Sequence, residues 1–456
     1  MSYQLLEKFI MEKIRSSRLP SLSIAIVNNE GIIYSKAFGF RDIEKGIPAT
    51  IRTIYGIGSI TKSFTALAIM KLVEEGKLSL DDPIEKYLSI KLRPFGESIR
   101  VHNLLTHTSG IPALAYAEAF IRGILGIENT WLPIATVEDI LTFMSDAEEW
   151  AIAKPGQKFF YLNEGYVLLG EIISRVSGMK YEDFVKKEIL APLKMSRTYF
   201  YAEDVERDSD VAVPYIIDKE GRHIRSRFPY GITADGGLLS NALDMCNYLI
   251  MYLNRGKYND TEIVSRKSIE IMEKPYILLP HRVFEKEGYG YGLRIVEDFL
   301  GKKLVCHSGS VLVYTAYMGY IPSEGIGVVV LANASGYPLS NIGMYALAIA
   351  LGKDPEKDLW FIARERILEK LQGIYETYKG TYRLSIKKHG DFILAVYRDK
   401  YLEQTAILVP IEVKDDYAKF YTFSYGRRIE IEFFINSTGI TMIFERYKFV
   451  KVSDRV

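Results

Sequence analysis

The 456-residue chain has only two cysteines, Cys246 and Cys306, which excludes a disulfide framework and a cysteine metal site. Its six histidines (His102, His107, His223, His281, His307 and His389) form no H-E-x-x-H or H-x-x-E-H pattern, so neither a metal nor another cofactor is expected. A formal net charge of +1 leaves no basic or acidic surplus to draw a polyanion, which argues against a nucleic-acid partner. No apolar run approaches the roughly 18 residues that a membrane-spanning helix needs. The charged, amphipathic start Met1-Ser2-Tyr3-Gln4-Leu5-Leu6-Glu7-Lys8 has no signal-peptide core. A cytoplasmic protein is expected. Glutamine is scarce, with four residues, while Lys, Glu, Ile and Tyr abound, a composition that leans toward a thermophile.

The hydrophobic fraction is 48%, enough for a large core, and the length favours two or more domains. Along the first 352 residues the pattern is a helix (Ser2 to Ser17), a hairpin around Asn28-Asn29-Glu30-Gly31, then helices, then strands at 290–296, 302–307, 315–321 and 325–331. Strands at both ends with helices between them predict an α+β domain whose antiparallel sheet is assembled from both ends of the chain. Residues 353–379 carry a helical apolar stripe (Trp360, Ala363, Ile367, Leu371, Ile374, Tyr378) and read as a connecting helix. From residue 380 to 456, short alternating runs about ten residues apart predict a small antiparallel β-barrel.

The chemistry concentrates at Gly58-Ser59-Ile60-Thr61-Lys62-Ser63-Phe64. An apolar-periodic helix is expected from about Ser59 to Glu74, which sets Ser59 and Lys62 on one face. A serine hydroxyl needs a base before it attacks, and a helix N-terminus favours the anion that forms. The S-x-x-K pattern occurs twice more. Ser177–Lys180 closes a helix at Gly178, the wrong end for an anion, and Ser385 and Lys388 lean to opposite faces of a strand. Two further elements stand apart in sequence: Tyr161-Leu162-Asn163, after Pro155-Gly156, and His307-Ser308-Gly309-Ser310 at a strand end. Tyr252-Leu253-Asn254 repeats the Tyr-x-Asn spacing at a helix end.

Ser59-x-x-Lys62, Tyr161-x-Asn163 and His307-Ser308-Gly309, in this order, resemble the penicillin-binding-protein-like serine hydrolases: class C β-lactamases, DD-peptidases, D-aminopeptidases and their esterase relatives. Leu104–Gly110 and Ala234–Ser240 resemble the family as well. With its C-terminal, lipocalin-like barrel, the chain is most similar to the archaeal CubicO-type serine peptidases, a self-compartmentalising group. The resemblance implies a serine β-lactamase-like fold and Ser59, Lys62, Tyr161 and His307 as catalytic residues. It implies Asn163, Ser308, Gly309 and Ser310 at the substrate, with the backbone N–H groups of Ser59 and Ser310 as the oxyanion hole. It also implies short peptide substrates, some with D-residues, and a homo-oligomer, an octameric compartment by resemblance.

Where many members have Lys-Thr-Gly this chain has His-Ser-Gly. An imidazole titrates near neutrality, which suggests that His307 shuttles protons. Which of Lys62, Tyr161 and His307 is the general base is open in the sequence. Val313 stands where the family often has glycine, which predicts a narrower pocket and disfavours bicyclic lactams. His107 and Asp235 read as structural turn residues. An esterase, a β-lactamase and a binding protein with an inert site are the competing readings.

Overall fold

The computed structural model of the chain describes residues 3–127, 132, 134–231 and 233–455, and two compact units, Met1–Gly352 and Lys353–Val456, are resolved within it. Ser2, where the first expected helix begins, lies outside the described residues.

The first unit is built on a nine-stranded sheet. Its strand order is Ile277–Leu278, Glu287–Tyr289, Arg294–Phe299, Lys302–Ser310, Thr315–Ile321, Ile326–Ala332, Ser21–Asn28, Ile32–Asp42 and Ile47–Pro48. Strand Ser21–Asn28 reads Ser-Leu-Ser-Ile-Ala-Ile-Val-Asn and pairs antiparallel with Ile326–Ala332, Leu22 opposite Ala332 and Val27 opposite Gly327. Both strands are buried on both faces, so their apolar runs are nearly continuous instead of alternating. That pairing joins the two ends of the unit, as the order of elements predicts. Helices Tyr3–Ser17 and Leu339–Ala350 pack together, the latter on the inner strands, and Ala242–Leu253 also packs on these strands.

The helix Ala242–Leu253 follows the family-like stretch Ala234–Ser240. The Asn241 side chain accepts from the N–H groups of Leu243 and Asp244, both at 3.0 Å, and caps it. Leu239–Ser240 is a short strand against Tyr55–Gly56.

The second unit is a closed eight-stranded antiparallel barrel preceded by the helix Trp360–Leu371. The expected connecting helix to 379 is corrected here. The helix stops at Leu371, and Gly373–Glu376 is the first barrel strand, pairing with both Arg383–His389 and Tyr447–Ser453 to close the ring. Ile374, four residues past Lys370, satisfies the helical stripe by spacing but lies on that strand.

Candidate active site

Ser59 sits on a 3₁₀ turn, Gly58–Ile60, that runs directly into the helix Thr61–Glu74. The helix therefore starts two residues after the expected position, and Ser59 stands on the turn in front of it. Nearly every residue from Thr61 to Met70 is buried, which fixes this segment in the core of the unit.

Lys62 is fully buried and its ammonium donates three hydrogen bonds: to Ser59 Oγ at 3.2 Å, to Asn163 Oδ1 at 2.8 Å and to the Asp235 carbonyl at 2.7 Å. Its Nζ also lies 4.9 Å from the Tyr161 ring centroid and 5.5 Å from that of Tyr166. A carbonyl and an amide oxygen only accept, so two of the three positions on nitrogen must carry hydrogen. Ser59 is the one partner of the three that can reverse roles. In the neutral amine the lone pair falls toward Ser59 Oγ, and the serine donates.

Asn163 opens the helix Asn163–Ser177, which presents its side chain at the helix N-terminus beside Lys62. Tyr161 precedes it in extended chain. His107 brackets Tyr161 from both sides: its carbonyl accepts from Phe160 N at 2.8 Å, and its Nδ1 accepts from Leu162 N at 3.0 Å. The two rings lie 4.2 Å apart. Accepting at Nδ1 requires a neutral ring, and burial, followed by the Lys62 charge, pushes the His107 pKa well below its usual value. His107 does more than shape a turn. It fixes Tyr161, and its own φ of 56° is the left-handed conformation that this hold demands. Among the described residues the Tyr161 hydroxyl makes no hydrogen bond, and the residue lines the same cavity as Ser59.

Strand Lys302–Ser310 brings His307, Ser308, Gly309 and Ser310 to this point. A β-carbon on Gly309 would lie 1.9 Å from the Ile57 carbonyl oxygen and 3.1 Å from Ser59 N, and one on Gly58 would lie 2.6 Å from Ser310 N. The two backbones meet at a distance only glycine allows. That closeness brings the backbones of Ser59 and Ser310, both of which line the cavity, side by side. The cavity, about 570 Å³, is lined by all eight residues singled out in the sequence except Lys62, which lies behind Ser59, and by Phe159, Leu279 and Ile121.

Asp235 is the residue whose role the sequence conceals. Its carbonyl holds Lys62 and its carboxylate accepts from the Tyr116 hydroxyl at 2.8 Å. Burial raises its pKa. Glu164, the neighbour of Asn163, accepts from Tyr116 N at 3.1 Å and is pushed up to about 7 by burial.

Two expectations are corrected. Val313 and Tyr314 are buried and do not line the cavity; Val311 and Leu312 form that wall. His307 is not poised near neutrality. It is 3% exposed, and burial with the nearby Lys62 ammonium drives its pKa down to about 3. Its Nδ1 donates to the Ser308 carbonyl at 2.7 Å, so Nε2 accepts from the Tyr289 hydroxyl at 2.9 Å. Both nitrogens are occupied and the ring is neutral.

A pH effect on stability follows. An unfolded histidine protonates below about 6.5, whereas folded His307 stays neutral down to about 3. Between those limits the unfolded state binds more protons, so stability falls as pH drops through that window, by up to about 1.4 kcal/mol per pH unit for each such histidine. Denaturant melts from about pH 6.5 to 4 are expected to show a shallower loss in His307→Gln than in wild type. Equal slopes would contradict the neutral, buried assignment.

The family profile described as Beta-lactamase matches residues 6–351. The chain belongs to the β-lactamase family. A second profile, the Pab87 octamerisation domain, matches residues 355–450, the barrel unit. The octameric penicillin-binding protein homologue from Pyrococcus abyssi is similar over 99% of this chain and 100% of its own, with 55% identity and a TM-score of 0.95. The penicillin-binding protein from Bacillus halodurans is 25% identical, with a TM-score of 0.60, over 75% of this chain and 98% of its own. Protein flp from Staphylococcus aureus is 29% identical over 338 residues; the match takes in 73% of this chain and 63% of that relative's length. The β-lactamase-family unit and the barrel thus correspond to two separate matches, and the serine, lysine, tyrosine and histidine described above all lie within the first.

Proposed function

We propose that this chain is a serine peptidase that acylates Ser59 with short peptides, some bearing D-residues, and releases the acyl group to water. The observation that carries the reading is the Ser59 Oγ–Lys62 Nζ contact at 3.2 Å, with the remaining two amine hydrogens tied to Asn163 and Asp235. Neutral Lys62 takes the serine proton as Oγ attacks the substrate carbonyl. The oxyanion that forms is met by the Ser59 and Ser310 amides, at the positive end of the 3₁₀ turn and helix. Tyr161, whose side chain lines the cavity, passes a proton to the leaving amine in this reading. His307, neutral and doubly bonded, supports the strand edge on which Ser308 and Gly309 receive the peptide backbone.

A mostly apolar cleft of about 570 Å³ accommodates a few residues of peptide, and phenylalanine, leucine and isoleucine on its walls favour apolar side chains. The test is a scan of L- and D-peptide libraries with wild type and Ser59→Ala. Cleavage of peptides by the wild type alone is expected. Hydrolysis of simple esters with no peptide cleaved would replace this reading with an esterase.

We further propose that the barrel unit assembles the chain as a homo-octamer, supported by the octamerisation-domain match and the octameric relative. Light scattering of the full chain is expected to give eight times the 52.0 kDa chain mass. A monomer at micromolar concentration would refute the assembly without touching the chemistry.

A further inference from the structure

An eight-stranded barrel is just wide enough inside for side chains to fill it or for one small ligand. Here the two ends differ. Around Tyr375, Ile386, Phe420, Phe433 and Met442 the interior is packed and inaccessible. Farther along the same strands the inward positions shrink. Ala395 and Ala406 stand directly opposite each other on paired strands, and Thr422 and Ser424 follow on the strand Tyr417–Ser424. These small residues leave a cavity of about 560 Å³ within the barrel unit.

The cavity also contains an aromatic cluster centred on Tyr382. Its ring centroid lies 5.1 Å from that of Tyr397, 5.7 Å from Tyr447 and 5.6 Å from Phe449. Four polar side chains that line the cavity, those of Tyr382, Gln404, Thr422 and Ser424, make no hydrogen bond among the described residues. Thr422 is only 7% exposed as a residue, and its side chain lines the cavity. Apart from tyrosine hydroxyls, the lining has a single ionisable group, Glu445, exposed on the hairpin turn at the rim. An ion entering the cavity would shed water and find no opposite charge beyond that carboxylate.

We propose that this end of the barrel binds one small, uncharged aromatic compound per chain. Its ring face stacks against the Tyr382 cluster, and its polar edge bonds to the Thr422, Ser424 and Gln404 side chains. The preference for rings follows from the aromatic cluster, since stacked and edge-to-face pairs gain beyond their buried area. The preference for a hydrogen-bonding edge follows from the unpartnered polar groups. The site is independent of the hydrolase reading, because none of its residues lines the Ser59 cavity.

The test is fluorescence titration of the full chain with N-phenyl-1-naphthylamine, an uncharged two-ring probe with one N–H donor. Saturable binding of one probe per chain is expected, unchanged in Ser59→Ala. Ala406→Phe, which fills the cavity, is expected to weaken it about tenfold or more. Because Phe at this position could perturb folding, Tyr382→Leu is the second variant; it keeps bulk, removes the ring, and is expected to weaken binding by about 2- to 13-fold. The anionic analogue 1-anilinonaphthalene-8-sulfonate should bind about tenfold more weakly than the neutral probe. Absence of binding in wild type, including the case where a second copy plugs the cavity, would overturn the proposal. So would equal affinity in folded Ala406→Phe and Tyr382→Leu, or equal affinity for the anion.

Discussion

Ser59→Ala is expected to lower kcat for peptide hydrolysis by about 10⁴-fold or more, the scale on which loss of a catalytic serine is felt. The fold should be unaffected, because among the described residues the Ser59 hydroxyl meets no partner but Lys62. The other two serines of the same spacing provide the control. Ser177 Oγ closes a helix against Met179, and Lys388 is engaged by Glu365 at 3.1 Å, away from Ser385. Ser177→Ala and Ser385→Ala should therefore retain full activity. Progress curves for the three variants on one cleaved peptide decide the matter, and substantial activity in Ser59→Ala would remove the nucleophile assignment.

Gly309→Ala is the second large effect. The added methyl would lie 1.9 Å from the Ile57 carbonyl oxygen, so strand Lys302–Ser310 and the turn Gly58–Ile60 must separate. Such overpacking costs about 1–3 kcal/mol of stability. Displacing the Ser310 amide from the Ser59 amide by even about 1 Å should cost roughly 10²-fold in kcat, since catalysis depends on that placement. A melt and a kcat measurement on the same sample separate the two. A variant with wild-type kcat would show that the Ser59–Ser310 approach does not matter to the chemistry. A neighbouring substitution without such a clash, Ser308→Ala, should leave stability within about 0.5 kcal/mol, as a half-exposed side chain should.

Much of this site was legible in the sequence because its side chains carry their own spacing. Serine and lysine three apart on a helical pattern must meet, and the apolar runs at 21–28 and 326–332 mark inner strands from both ends of the unit. What stayed hidden depends on backbone. The partner that fixes Lys62 is the carbonyl of Asp235, and any residue at that position has one. The hold of His107 on Tyr161 runs through the main-chain N–H of Leu162, 55 residues away. The charge state of His307 was misread because an ordinary imidazole pKa says nothing of burial or of Lys62 nearby. The barrel's first strand was hidden by coincidence of period: Ile374 continues the helical stripe of Ile367 and Leu371, and only pairing with two strands at once, the later one near the chain's end, makes it a strand.

The central claim is that Ser59 becomes covalently acylated with Lys62 as its base. The most direct measurement is intact and peptide-level mass spectrometry after treatment with a fluorophosphonate, on wild type and on Lys62→Met. One adduct per chain, on the peptide holding Ser59, is the expected result, with labelling slowed by about 10²-fold or more in Lys62→Met. An adduct on any other residue, or labelling of Lys62→Met at the wild-type rate, would contradict the account.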